Sequence, residues 1–211
     1  MQVELFDTSL RDGLQQPNLE ISVPNAARLL QRMGAFGVHY AEIGFAGANQ
    51  FVSDLADALE NVDTGATRLA LFGRSRGRGR KVQDWPDLKS MVAHKSRIPV
   101  SVIVVKSRLL DVVKSLETTP EENLQMACDT IAFLQDHGLE VFVDLEHAMD
   151  AACQRRENGE LCDSEFGKRS LDFFHHMVDQ CVTQGVSRLV VCDTNGGASP
   201  EEVARVMQCD R

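Results

Sequence analysis

The sequence predicts a parallel α/β fold, and three observations carry that prediction. Short apolar runs recur along the chain, helical stripes lie between them, and helix start and stop signals mark the joins. Six runs read as strands: Val3–Thr8, Val38–Gly44, Arg68–Gly73, Pro99–Val105, Glu140–Leu145 and Arg188–Cys192. Most are nearly continuous in Val, Ile, Leu and Phe rather than alternating, as suits a parallel strand covered on both faces. Asn25–Met33 carries an apolar stripe, and so do Glu121–Gln135 and Ser170–Gln184, at spacings of three and four. Thr119-Pro120-Glu121-Glu122 and Ser199-Pro200-Glu201-Glu202 each place a hydroxyl at the N-cap, Pro at N1 and Glu at N3. Gly138 and Gly185 are placed to stop helices just before strands. An open doubly wound sheet and a closed barrel both fit this alternation. No G-x-G-x-x-G follows the first strand, which weakens the dinucleotide-binding version. Polar residues instead end several strands, where barrel enzymes keep their chemistry.

Composition narrows the function. The 211 residues are 43% hydrophobic and 25% charged, an ordinary globular balance long enough for one domain or a large part of one. A formal net charge of −9 argues against general nucleic-acid or anionic-membrane binding. No run approaches the roughly 18 apolar residues of a spanning helix. The start, MQVELFDTSLRDG, lacks a basic segment followed by an apolar one, so no secretory signal is read and a cytoplasmic protein is expected. Cys128, Cys153, Cys162, Cys181, Cys192 and Cys209 form no C-x-x-C pair or zinc spacing, and are expected as reduced thiols. Two stretches look inserted. Arg74–Lys81 (RSRGRGRK) reads as a solvated loop or as a clamp for phosphates or carboxylates, and Gln154–Phe166 as a surface excursion.

The chemistry is concentrated where the first strand runs into Asp7-Thr8-Ser9-Leu10-Arg11-Asp12-Gly13-Leu14-Gln15. A carboxylate here can hold a hard divalent cation, and the guanidinium can bind a carboxylate or a developing oxyanion. The plain alternatives are a surface salt bridge, or an Asp12 that caps the turn at Gly13. Glu42, ending the second strand, reads equally as a pocket acid or as a structural acid paired with an Arg. His147 follows Glu146, and neighbouring strand residues point to opposite faces, so it is not expected as a metal ligand. His175 and His176 read as surface or packing residues for the analogous reason on a helix.

Asp7–Gln15 resembles the D-T-[ST]-L-R-D-G-x-Q motif of the barrel superfamily that includes 2-isopropylmalate, homocitrate and citramalate synthases and 3-hydroxy-3-methylglutaryl-CoA lyase. Val143–Asp150 (VDLEHAMD) resembles the D-A-E-H-F-F-D segment ending the fifth strand of citramalate-synthase-like proteins. Cys192–Gly197 with Pro200 resembles their C-D-T-N-G-G-x-x-P, and Thr118–Asn123 their T-x-E-E-N. The resemblance runs from Asp7 to about Val206. It implies a (β/α)₈ barrel with about six of eight β/α units in this chain, so that residues 1–211 are a single, incomplete catalytic domain. It also implies condensation of acetyl-CoA with a 2-oxo acid, followed by thioester hydrolysis, with a divalent metal (Mg, Mn or Zn) polarising the carbonyl. Carried over by position, Asp12 would be a metal ligand. Arg11 would bind the 2-oxo acid and stabilise the alkoxide. Glu42 and Thr194 would line the substrate site, Glu146 would line it and take part in catalysis, and Gln15 would support it. A homodimer and a lyase branch of the same superfamily also follow as implications.

Two departures stand out. The family's histidine ligands lie in an H-x-H motif on a seventh strand, and none of the six histidines here has that spacing. Where citramalate-synthase-like proteins show G-K-S-x-x-x-H-V, this chain has Val105 for Gly and Asp111 for His. The missing histidine pair leads to the expectation that the chain alone is inactive, with a non-catalytic fragment as the contrasting reading. The second departure weakens assignment to citramalate synthase itself and leaves the 2-oxo acid undetermined.

Overall fold

A computed structural model describes residues 3–47, 50–154 and 165–208. Within them the chain alternates strand and helix: β1 (Phe6–Asp7), α1 (Val23–Phe36), β2 (Tyr40–Phe45), α2 (Gln50–Ala58), β3 (Arg68–Arg74), α3 (Pro86–Ala93), β4 (Val100–Lys106), α4 (Leu109–Lys114), α5 (Pro120–Asp136), β5 (Glu140–Glu146), α6 (Ala148–Ala152), α7 (Glu165–Thr183), β6 (Arg188–Val191) and α8 (Pro200–Met207). The six strands follow one another in chain order in the sheet. The pairs β1–β2, β2–β3 and β5–β6 are parallel, as the nearly continuous apolar runs predicted. Gln154–Phe166, the expected excursion, lies outside the described residues from 155 to 164, as do Cys162 and Cys209. The four described cysteines, Cys128, Cys153, Cys181 and Cys192, are free thiols. Burial, reinforced by the neighbouring Cys128, pushes the Cys181 thiol up to about 12.

The chain divides into two compact units. The first comprises Met1–Arg74, Arg80–Ile103 and Phe133–Val141. Leu30, Ile43, Leu55, Leu71 and Leu88 are fully buried in it. Each such side chain contributes roughly 1.5–3 kcal/mol by leaving water. Helix α1 ends on Gly37 at φ 87°, a left-handed cap that only glycine adopts freely. One turn earlier, Gly34 lets the backbone of Thr64 approach, and a Cβ there would lie 2.2 Å from the Thr64 carbonyl oxygen. Gly34→Ala would normally strengthen a helix by up to about 1 kcal/mol. Here it should instead destabilise by roughly 1–3 kcal/mol, because backbone must move. A lower urea midpoint at unchanged m-value would show it, and a raised midpoint would refute it.

The second unit comprises Ser75–Gly79, Val104–Ala132 and Phe142–Arg211, with Phe142, Val143, Leu145, Ile131 and Met177 in its core. Helix α8 opens with the predicted capping box: the Glu202 amide donates to Ser199 Oγ at 3.2 Å and the Ser199 amide donates to Glu202 Oε2 at 2.8 Å. In α5 the Thr119 hydroxyl accepts from the Glu122 amide at 3.2 Å. Gly138 and Gly185 have φ of 79° and 72°, the left-handed stops expected of them.

The strand limits differ from expectation mainly at β1. The Leu5 amide donates to the imidazole Nδ1 of His39 rather than to a backbone carbonyl, and Val3 and Leu5 are exposed, so the ladder begins only at Phe6. Strand β6 also departs from the doubly covered pattern. It is the last strand in the order, Arg188 is exposed, and its other three residues are half-buried.

Candidate active site

In the first unit the site is built on a tight turn. The Thr8 carbonyl accepts from the amides of Arg11, Asp12 and Gly13, and the Asp7 carboxylate accepts from both the amide and the hydroxyl of Ser9. Asp12 precedes a 3-10 turn at Gly13–Gln15 but makes no side-chain cap to it, so the capping alternative fails. The Asp12 side chain stays 62% exposed and touches Arg11 Nη1 at 2.9 Å. Arg11 Nε donates to Glu42 Oε2 at 2.6 Å, and Glu42 is completely buried. Of the two readings left open for Glu42, the structure shows the acid paired with an Arg. That Arg is the one the resemblance places at the substrate. The guanidinium also lies over the Phe72 ring at 4.2 Å. The β2–β3 register shifts between Glu42 and Phe45, setting Phe45 opposite Phe72 in edge-to-face contact. Arg11 is thus held along one edge by a carboxylate and across one face by a ring. The rest of its five N–H donors remain to bind a ligand. Gln15 lies exposed on the 3-10 turn.

In the second unit, Glu146 ends β5 and pairs with Lys106 at the end of β4. The Glu146 carbonyl accepts from the Ser107 hydroxyl at 2.6 Å, and the Lys106 carbonyl accepts from the buried Asn123 amide at 2.9 Å. The next residue leaves the strand: His147 sits in the left-handed region at φ 57°. The alternation argument applied to His147 therefore does not hold, because it presumes extended backbone. Its amide donates to Thr194 Oγ1 at 2.9 Å, which leaves the threonine O–H free to donate. Its Nδ1 meets Asp150 Oδ2 at 2.9 Å, and the same oxygen accepts from Asn195 Nδ2 at 2.8 Å. Arg108 closes the cluster. It grips Asp111 through Nε and Nη2 at 2.7 and 2.9 Å and lies 3.7 Å from Asp150. Asp193 holds the following loop by accepting from the amides of Gly197 and Ala198.

The basic loop is largely exposed, at Arg74, Arg78, Arg80 and Lys81, as the solvated-loop reading expects. Arg74 pairs with the buried Asp87, and Arg78 donates to the Glu117 carbonyl. Arg76 is itself buried and pairs with Glu122 and Asp129. Burial opposes its charge, but hydrogen bonds to Glu122 and Asp129 outweigh it and raise its pKa.

Sequence reasoning identified Arg11, Asp12, Glu42, Glu146 and Thr194 but missed Phe72, Lys106, Arg108, Asp150 and Asn195. For Asp150 a signal existed: it stands three residues after His147, within helical reach. Nothing local in the sequence shows that the Phe72 ring lies beneath Arg11.

A divalent metal is what the resemblance implies, and the residues can be tested for it. Among the described residues no group of three or more His, Cys, Asp and Glu side chains could hold a metal ion. Asp12 alone offers one exposed carboxylate, which does not fit a tight divalent site.

The strand order and the polar strand ends define a β/α-barrel protein, and comparison with known proteins gives the family. The HMGL-like family matches residues 2–209, and the chain belongs to it. It is 30% identical over 204 residues to the (R)-citramalate synthase of Aquifex aeolicus, a match covering 97% of this chain and 35% of that protein. It is 31% identical to the (R)-citramalate synthase of Streptomyces coelicolor, over 96% of this chain and 35% of that one. The chain thus spans about 35% of the length of these curated relatives. Its fold superposes on the HMG-CoA lyase of Bacillus subtilis with a TM-score of 0.69 at 17% identity, covering 98% of this chain and 63% of the lyase. The chain carries six strands of the (β/α)₈ fold, each followed by helix.

Proposed function

We propose that this chain is part of a single catalytic barrel domain of an acyl-CoA-dependent condensing synthase, which adds the methyl carbon of acetyl-CoA to a 2-oxo acid. One observation carries the reading. The likeness to citramalate synthases spans 97% of the chain. Among the residues carried over from it, Glu146 ends β5, Arg11 and Thr194 follow β1 and β6, and Glu42 lies within β2 rather than at its end. In the reaction Arg11 binds the 2-oxo acid and stabilises the negative oxygen that develops as the carbon–carbon bond forms. Glu42 and Phe72 fix the direction of its remaining donors. Glu146 is the acid–base carboxylate of the second unit, with Lys106 balancing its charge, and the Thr194 hydroxyl donates to the substrate carboxylate. Gln15 supports the turn that carries Arg11. The family's divalent metal, whether Mg, Mn or Zn, supplies Lewis acidity. Asp12 is the ligand this chain offers. The protein works in the cytoplasm as a homodimer. Among the described residues no helix is long and apolar enough to cross a membrane.

The test joins this chain to the remaining barrel of the Aquifex aeolicus relative and offers acetyl-CoA, a divalent metal and a panel of 2-oxo acids. Release of CoA that depends on one 2-oxo acid and is lost in Arg11→Ala supports the synthase. Cleavage of a 3-hydroxyacyl-CoA without condensation would assign the lyase branch instead. The 211 residues alone should show no condensation and no stoichiometric metal binding, since Asp12 stands without further ligands among the described residues. Calorimetric titration with Mn²⁺ checks this, and tight binding abolished by Asp12→Ala would overturn it.

A further inference from the structure

We infer that His147 is the base that activates water for thioester hydrolysis, with Asp150 as its positioning residue. The inference rests on the condensing-synthase reading above, because that reaction ends in hydrolysis of an acyl-CoA thioester.

Four features of the second unit converge on this side chain. Asp150 is buried, and its Oδ2 faces three donors: Asn195 Nδ2, the Arg108 guanidinium and the His147 ring. An ionised carboxylate only accepts, so the hydrogen on that contact belongs to His147 Nδ1. The neutral ring therefore carries its lone pair on Nε2, the tautomer a general base requires. The backbone supports the same geometry. His147 occupies a left-handed conformation that non-glycine residues adopt at a cost, and Thr194 Oγ1 holds its amide there. Strain of this kind, on a residue tied at both backbone and ring, marks a position whose geometry matters more than its stability. Finally, the side chain keeps 16% of its surface open to solvent, the side from which a water can reach it.

Its neighbour is less suited to the task. The Glu146 carboxylate is engaged by the Lys106 ammonium. In the step itself His147 Nε2 takes a proton from water, and the water oxygen bonds to the thioester carbonyl carbon. The carbon–sulfur bond breaks, the CoA thiolate leaves, and the imidazolium returns the proton to it. The products are free CoA and a carboxylic acid, with no oxidant or reductant consumed. None of these residues belongs to the incomplete metal site, so the dyad is present in this chain as it stands.

The experiment uses the 211-residue chain and a synthetic 3-carboxy-3-hydroxyacyl-CoA thioester, with CoA release followed by a thiol reagent. Hydrolysis above the buffer rate is expected, falling roughly a hundredfold or more in His147→Asn. Asparagine tolerates the left-handed backbone and can still donate to Asp150, so this variant keeps the fold while removing the base. Asp150→Asn should lower the rate less and weaken the tautomer preference. In ¹⁵N spectra of the neutral ring, His147 should be protonated on Nδ1 in the parent chain. No hydrolysis by the parent, an unchanged rate in His147→Asn, or an Nε2-protonated ring would each overturn the proposal. The supplied thioester bypasses condensation, so a failed condensation assay would sink the synthase reading without deciding this one.

Discussion

Arg108→Met is expected to cost about 3–5 kcal/mol of folding stability, the range for stripping one partner from a buried ion pair. Arg108, Asp111 and Asp150 are all buried, and the guanidinium is the cation facing both carboxylates in this cluster. Methionine fills a similar volume but leaves two carboxylates to lose solvation without a cation. The far-UV circular dichroism transition in urea should therefore shift to lower midpoint at unchanged slope. The double variant Arg108→Met, Asp111→Leu should recover part of the loss, because it removes one stranded charge along with the guanidinium. Asp150 still has Asn195 and His147 as donors in that variant. A cost below about 1 kcal/mol for the single change would mean that solvent screens the cluster as it screens surface pairs. The same cluster accounts for a departure in the sequence. Asp111 stands where citramalate-synthase-like proteins have His, which by itself looks like decay. In the structure that carboxylate is paired with Arg108, three residues earlier at the N-cap of α4.

How much of this was legible in advance follows from the range of each interaction. The strands β2 to β5 were read to within about two residues, because a doubly covered strand declares itself in consecutive apolar side chains, and β6 was read from its apolar run although it is only half-buried. Helices α1, α5, α7 and α8 were read from stripes or from Ser/Thr-Pro-Glu starts. Helices α2, α3, α4 and α6 were not, and for the last three their N-caps explain why. Trp85, Arg108 and His147 stand at those positions and make no side-chain cap, so no hydroxyl or carboxamide marks the start. In the site, Arg11 and Asp12 were legible because they are adjacent. The partner of Arg11 at Glu42 is 31 residues away. The environment of His147 was misjudged for one physical reason: the backbone leaves the extended region at that residue, and face alternation ends with it.

Glu42 carries the other large effect, and it connects stability to substrate binding. Glu42→Leu should destabilise the chain by about 3–5 kcal/mol, since it strands a guanidinium that is only 14% exposed. Arg11→Met/Glu42→Leu should cost less than the sum of the single changes, with a coupling of about 0.5–3 kcal/mol. The size of that coupling decides what Glu42 is for. If Arg11 were held mainly by Phe72, worth about 0.5–2 kcal/mol as a cation–π contact, Phe72→Leu would rival Glu42→Leu and the cycle would show little coupling. The 2.6 Å contact to a fully buried carboxylate argues the opposite order. Glu42→Gln separates charge from shape, because the amide oxygen still accepts from Arg11 Nε while the charge is gone. It should lose most of the stability lost by Glu42→Leu if ion pairing dominates, and little of it if the hydrogen bond alone orients the guanidinium. In either case the donors of Arg11 that face a ligand are aimed by a residue the ligand need not touch. Substrate affinity in the extended protein should therefore fall in Glu42→Gln even where Arg11 is intact.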